Sequence, residues 1–149
     1  MCLASITMDM LSNDIVDFSS ASAEVSESRP EPDRLLDGDP VTVAKNFFSD
    51  ADNRLFAGTW QSSVGRWRVS YSEHEFCHIT SGRVRIEANG KSWEFGPGDS
   101  FVIPSGFQGV WEVLEPMSKL YVIFEPRSKG GDASLQTEPG SLRDLCAPA

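Results

Sequence analysis

The sequence predicts an all-β domain built as a barrel or sandwich, and three observations carry that reading. Between Asn53 and Glu125 apolar and polar residues alternate over short runs, as in strands with one buried and one solvated face. Gly, Pro and Asn punctuate those runs as turn residues. The chain has 149 residues, 40% hydrophobic and 10% aromatic, enough for one domain with a real core.

The strands follow in order. In "RWRVSY", Trp67, Val69 and Tyr71 share one face, with Arg66, Arg68 and Ser70 on the other. "EFCHI" sets Glu75, Cys77 and Ile79 opposite Phe76 and His78, and "RVRIE" sets Val84 and Ile86 against Arg83, Arg85 and Glu87. "ANGK" is a hairpin signal, because Asn-Gly suits a type I′ turn. "SWEF", "SFVIP", "GVWEV" and "KLYVIF" complete about seven short strands. A jelly roll is one way for such strands to manage their edges.

The flanks read differently. Residues 1–40 form an acidic segment with nine acidic and two basic side chains, a net of −7 out of the chain's −9. Its part 19–40 is rich in Ser, Glu, Asp and Pro and reads as a flexible lead-in. Before it, "ITMDMLSNDIVDF" could be a short helix or strand that docks on the barrel or on a second subunit. "VTVAKNFFSD" fits either a short strand or a helical turn. The barrel is assigned to 41–126 and a C-terminal tail to 127–149.

Composition excludes several classes. No basic stripe is available for a phosphate backbone, so nucleic acid is not expected as a partner. No apolar run approaches the roughly 20 residues of a membrane span. The N-terminus has no basic stretch before an apolar run, which argues against a signal peptide. Cys2, Cys77 and Cys146 are too few and too scattered for a disulfide framework, and Cys77 reads as a small buried hydrophobe. A reducing, cytoplasmic setting is the expectation.

Two motifs carry a resemblance. Gly98, Pro104 and Gly106 match G-x5-P-x-G-x2-H-x3-N, with Gly109 standing where the His belongs and Val113 where the Asn belongs. Glu75 and Gly82 match E-x6-G, while the two His of the preceding H-x-H-x3-E fall on Val69 and Tyr71, or on Arg68 and Ser70 at the alternative spacing. These motifs resemble those of the cupins, which implies a single double-stranded β-helix barrel. "EFCHITSGRVRIEANG", "GDSFVIPSGFQGVWEV" and "KLYVIFE" are similar to the subgroup named for the (S)-ureidoglycine aminohydrolase cupin domain, and to an ethanolamine-utilisation cupin. The aminohydrolase relies on a metal, and here three of the four ligand positions hold other residues.

Alternation also identifies the interior. If Glu75 faces inward, so do Cys77 and Ile79, and Tyr71, Val69 and Trp67 share that parity if no bulge intervenes. Gly109, Trp111 and Val113 share a face, so Trp111 is expected to plug the emptied metal position with glycine at 109 leaving room for its indole. A buried carboxylate needs partners, and Tyr71 and Trp111 are the nearest donors for Glu75. His74 and His78 lie on the opposite face, roughly 13 Å apart along a strand, too far to share one metal. His74 remains a candidate for substrate contact. Trp60 and Trp67 read as core or rim aromatics, and Lys119 as a solvated charge or a surface partner of Glu112.

The reading is therefore a cupin that binds a small polar or partly aromatic molecule without a transition metal. Tyr71, Cys77, Phe107, Trp111 and His74 are the ligand-binding candidates, and Glu75 is the candidate for proton transfer. The alternatives are a metal-dependent aminohydrolase-like enzyme and a non-catalytic dimeric module. A homodimer is expected through a sheet face bearing Arg66, Arg68, Arg83 and Arg85, covered in part by the acidic segment with Ile15, Val16 and Phe18.

Overall fold

The computed structural model describes residues 13–126, and these form nine strands with no helix. They are β1 (Glu24–Ser28), β2 (Leu35–Gly38), β3 (Thr42–Ser49), β4 (Leu55–Ser62), β5 (Gly65–Ser70), β6 (His74–Ala88), β7 (Lys91–Phe95), β8 (Ser100–Ile103) and β9 (Gln108–Phe124). Every pairing is antiparallel.

Two long strands organise the others. The second half of β9 lies between β4 and the first half of β6. Its first half lies between β5 and the second half of β6. A single hydrogen-bonded surface thus curls into two sheets, β1-β3-β4-β9-β6-β8 and β2-β5-β9-β6-β7. Register shifts in β6 between Ile79 and Val84 let the chain turn from one sheet into the other. Gly82 sits in that bend with φ of 77°, and a Cβ there would lie 2.2 Å from the Pro116 carbonyl oxygen. Glycine serves both the left-handed backbone and the close strand approach.

The predicted parity holds. Trp67, Val69 and Tyr71, then Glu75, Cys77 and Ile79, then Trp111 and Val113 all face the interior. The Asn89-Gly90 hairpin forms as expected, with positive φ at both residues and Ala88 paired to Lys91.

Three features differ from the expectation. "EFCHI" and "RVRIE" are one strand, as are "GVWEV" and "KLYVIF", because the Gly and Pro between them mark bends with continued pairing rather than turns. β4 escapes a hydrophobic reading because its inward positions mix Phe56 and Trp60 with Gly58 and Ser62. The lead-in at 19–40 supplies β1 and β2, which pair with β3 and β5. Backbone hydrogen bonds order such edge strands without requiring apolar side chains. "VTVAKNFFSD" resolves as β3.

Three of the four outward arginines, Arg66, Arg83 and Arg85, are already matched within the chain. Arg66 pairs with Glu87 and Glu112, Arg83 with Glu94, and Arg85 with Glu94 and Glu112. Those internal pairs reduce the positive charge that this face offers to the acidic segment. Phe18 instead stacks on Phe47 at 4.6 Å between ring centroids, while Ile15 and Val16 are exposed. Residues 1–12 and the tail at 127–149, with Cys2 and Cys146, lie outside the described residues.

Gly82 and Gly90 allow a matched comparison, since both have positive φ but only Gly82 is crowded. Gly90→Ala should cost about 1 kcal/mol, the conformational penalty alone. Gly82→Ala should cost at least about 3 kcal/mol, because backbone must also move. Urea denaturation of the two variants checks the ordering.

Candidate functional site

The second half of β9 alternates so that Met117, Lys119, Tyr121 and Ile123 face inward. Lys119 is therefore not on the surface, and the expected pair with Glu112 does not form. Its side chain is 0% exposed and that of Glu75 1%, and Lys119 Nζ lies 2.7 Å from Glu75 Oε1. Strand register explains the placement. Lys119 stands between Trp60 on β4 and Ile79 on β6, while Glu75 lies on the inward face of β6, two inward positions away from Ile79.

Three donors converge on one oxygen. Glu75 Oε1 accepts from Lys119 Nζ, from Cys77 Sγ at 2.9 Å and, more loosely, from Tyr71 OH at 3.4 Å. Lys119 Nζ also lies 3.7 Å from Cys77 Sγ. The ammonium sits over two indole faces, 4.6 Å from the Trp60 ring centroid and 4.7 Å from that of Trp111. Cation–π attraction of this kind is strongest where water is excluded. Of the two donors expected for Glu75, Tyr71 reaches it. Trp111 presents its ring face to Lys119, and the nitrogens Trp60 Nε1 and Trp111 Nε1 are buried without an acceptor.

The plug is thus an ammonium seated in the corner between two nearly perpendicular indole rings, rather than an indole alone. Gly109 has a different role from the one expected. A Cβ there would lie 2.3 Å from the Glu87 carbonyl oxygen and 2.9 Å from Phe107 Cζ, so glycine permits close strand packing.

Burial sets the protonation of the neighbours. It pushes the Tyr71 hydroxyl and the Cys77 thiol well above their ordinary ranges, and the adjacent Glu75 charge adds to both shifts. Both groups therefore stay neutral near pH 7 and act as donors. Glu73, next along the chain and buried, is also raised by desolvation, against a hydrogen bond from Ser72.

The other candidates divide. Phe107 packs edge-on against Tyr71 at 6.2 Å, and backbone bonds from Tyr71 N to Phe107 O and from Gly106 N to Tyr71 O tie this end of the barrel together. His74 does not join the cluster. It faces outward, its Nδ1 accepts from Ser105 N at 3.0 Å, and its ring stacks on Phe124. His78 pairs with Ser100 Oγ. An open groove of about 900 Å³ lies elsewhere, walled by Arg34, Arg68, Lys91 and Gln108.

The residues present do not fit a transition metal. Among the described residues no three His, Cys, Asp or Glu side chains come together. The one inward carboxylate of the cluster is already engaged by an ammonium, which would repel a second cation. Lys119 is the residue that sequence reasoning missed. In "KLYVIF" both faces contain apolar residues, and the apparent hydrophobic face, Leu120, Val122 and Phe124, points outward.

A curled two-sheet jelly roll with this motif carboxylate inside is the architecture of a cupin barrel. The EutQ-like cupin domain matches residues 49–121. No curated protein sequence matches the chain. Among solved structures, the EutQ protein of Clostridium difficile is similar, with a TM-score of 0.52, 19% identity, and coverage of 58% of this chain and 64% of that one. A protein of unknown function from Pseudomonas syringae pv. tomato gives 0.62 at 25% identity, covering 70% of this chain and 45% of that one. A putative ethanolamine utilization protein Q from Salmonella typhimurium gives 0.54 at 14% identity, covering 72% and 100%. The first two of these proteins extend well beyond the matched length. The chain has the cupin fold, and residues 49–121 resemble the EutQ-like cupin domain. Among the described residues no helix is long and apolar enough to cross a membrane.

Two outcomes follow from the geometry. Lys119→Met strands a buried carboxylate and should cost about 3–5 kcal/mol in urea unfolding, whereas Lys119→Met with Glu75→Leu should recover most of that loss. Cys77 should stay silent toward thiol reagents at pH 7–8 in a Cys2→Ser, Cys146→Ser background and react only on unfolding, because its thiol is buried and held neutral. Rapid labelling of the native protein would contradict the packing described.

Proposed function

We propose that the barrel interior binds a small molecule bearing a carboxylate or carbonyl, with Lys119 and Glu75 holding and moving a proton at its polar end. The observation that carries this reading is the pair of indole nitrogens, Trp60 Nε1 and Trp111 Nε1, buried without acceptors around a fully buried ion pair. Buried donors are nearly always satisfied, and an unpaired one calls for an explanation such as a ligand. Carboxyl or carbonyl oxygens would satisfy both indoles, and the aromatic rings would stack on the rest of a polar or partly aromatic molecule. Ionisable groups taken out of water at a specific partner are found preferentially at functional sites. Tyr71 and Cys77, kept neutral, would hold Glu75 in place. Entry would require the Phe107–Tyr71 end to open. A cytoplasmic setting, where Cys77 stays reduced, belongs to the same reading.

A second reading has its own support. The cluster has essentially no exposure, which favours a barrel filled by its own side chains and a non-catalytic module. Tryptophan fluorescence separates the two, because Trp60 and Trp111 adjoin the cluster. Titrating the full-length protein with a panel of small carboxylic acids and aldehydes should give a saturable change that disappears in the Lys119→Met, Glu75→Leu double variant. Mass spectrometry of material released on denaturation provides a second readout. No response to any member of the panel, and nothing released, would favour the non-catalytic module.

A further inference from the structure

The outer face of the second sheet carries a ladder of alternating charge that breaks at one row. Arg66, Glu112, Arg85 and Glu94 are successive cross-strand partners on β5, β9, β6 and β7. Each arginine in that row meets a carboxylate, Arg85 reaching Glu112 at 2.9 Å. The next row, two residues along each strand, reads Arg68, Val110, Glu87 and Ser92. Val110 stands where the pattern calls for a carboxylate, and Glu87 turns back to Arg66 at 3.5 Å.

Arg68 is left facing another cation. Its backbone N–H donates to the Arg34 carbonyl at 2.9 Å, which fixes the two arginines side by side where β2 meets β5. Like charges opposite each other on neighbouring strands destabilise a sheet. Both residues line the open groove of about 900 Å³, and Lys91, at the start of β7, lines it too. Among the described residues none of these three cations forms an ion pair. The carboxylates of the groove are Glu87, held by Arg66, and the exposed Asp33. Four strand spacings of about 4.8 Å separate β2 from β7, so the arginine and lysine walls stand at most roughly 19 Å apart at the backbone. Their long side chains narrow that gap.

We propose that this groove binds a small phosphate ester bearing a second acidic group, with the phosphate on Arg34 and Arg68 and the second group on Lys91. One guanidinium fork already satisfies both oxygens of a carboxylate, whereas a phosphate monoester has the oxygens and the charge for two. An ammonium is a point charge that takes the second group with less demand on geometry. Ser70 and Gln108, cross-strand partners on β5 and β9, offer neutral donors between the two ends. Binding of an anion offsets the repulsion between Arg34 and Arg68, which a neutral ligand would leave in place. Three cations do not make the stripe that a nucleic-acid backbone needs, so the ligand is a small molecule. The site lies on the outer face of the sheet and is separate from the Lys119–Glu75 cluster inside the barrel.

Nuclear magnetic resonance of the full-length, nitrogen-15-labelled protein tests this at pH 7, in about 0.15 M salt to screen diffuse attraction. The probes are inorganic phosphate, gluconate and 6-phosphogluconate, which joins the two acidic groups in one molecule. Saturable shifts are expected around Arg34, Arg68, Lys91 and Gln108, with 6-phosphogluconate binding at least about ten-fold more tightly than either simpler anion. Arg68→Gln should weaken inorganic phosphate and 6-phosphogluconate by about ten-fold or more. Lys91→Gln should weaken 6-phosphogluconate and leave inorganic phosphate unchanged. Val110→Glu supplies the missing carboxylate beside Arg68 and should abolish binding, while the remaining resonances report an intact fold. Arg83→Gln, elsewhere on the same face, should bind as the unaltered protein does. No saturable shift up to about 10 mM of any probe would overturn the proposal. Shifts that ignore both Arg68→Gln and Val110→Glu, or equal affinity for 6-phosphogluconate and either simpler anion, would overturn it equally.

Discussion

A single buried ion pair constrains this barrel. Taking an ammonium and a carboxylate out of water is expensive, and the attraction between them offsets that cost only with good geometry and further partners. The structure provides both. Lys119 reaches Glu75 at 2.7 Å, Cys77 and Tyr71 donate to the same carboxylate oxygen, and two indole faces flank the ammonium. Because these groups come from β4, β6 and β9 and the turn after β5, the pair also ties both halves of the curled sheet to one point. A shift of either long strand by one residue would turn its charge outward and leave the other stranded.

The cluster sets an ion pair inside the barrel, which is chemistry of a different kind from a bound metal's. A divalent ion concentrates charge and polarises what binds to it. A lysine beside a glutamate offers a mobile proton, a hydrogen-bond donor and a net charge near zero. The surrounding rings make the space apolar, so any oxygen entering it would meet unscreened donors. The orphaned Trp60 and Trp111 nitrogens are the polar groups that the pair itself leaves unsatisfied.

Inside and outside are linked by alternation. Placing Lys119 inward on β9 forces Leu120, Val122 and Phe124 outward, and placing Glu75 and Cys77 inward forces Phe76 outward beside them. The polar centre and the apolar outer face are therefore one choice of register seen from two sides. The second sheet keeps the ordinary pattern, with Trp67, Ile86 and Trp111 in register inside and arginine–glutamate pairs outside.

The sequence by itself determined the strand periods, the Asn89-Gly90 hairpin, the inward parity of Tyr71, Glu75, Cys77 and Trp111, and the resemblance to cupins. Those are local properties, set by the two-residue repeat and by turn chemistry. Tertiary structure alone decided that two pairs of short strands are two long ones, because a bend and a turn carry the same Gly and Pro residues. It also decided the orientation of "KLYVIF". Either face of that strand could have been buried by hydrophobicity, with the Leu-Val-Phe face the more apolar. Only the neighbouring Glu75, contributed from 44 residues away in the chain, makes an inward Lys119 affordable. The partner of a buried charge lies on another strand, and no local pattern reveals it.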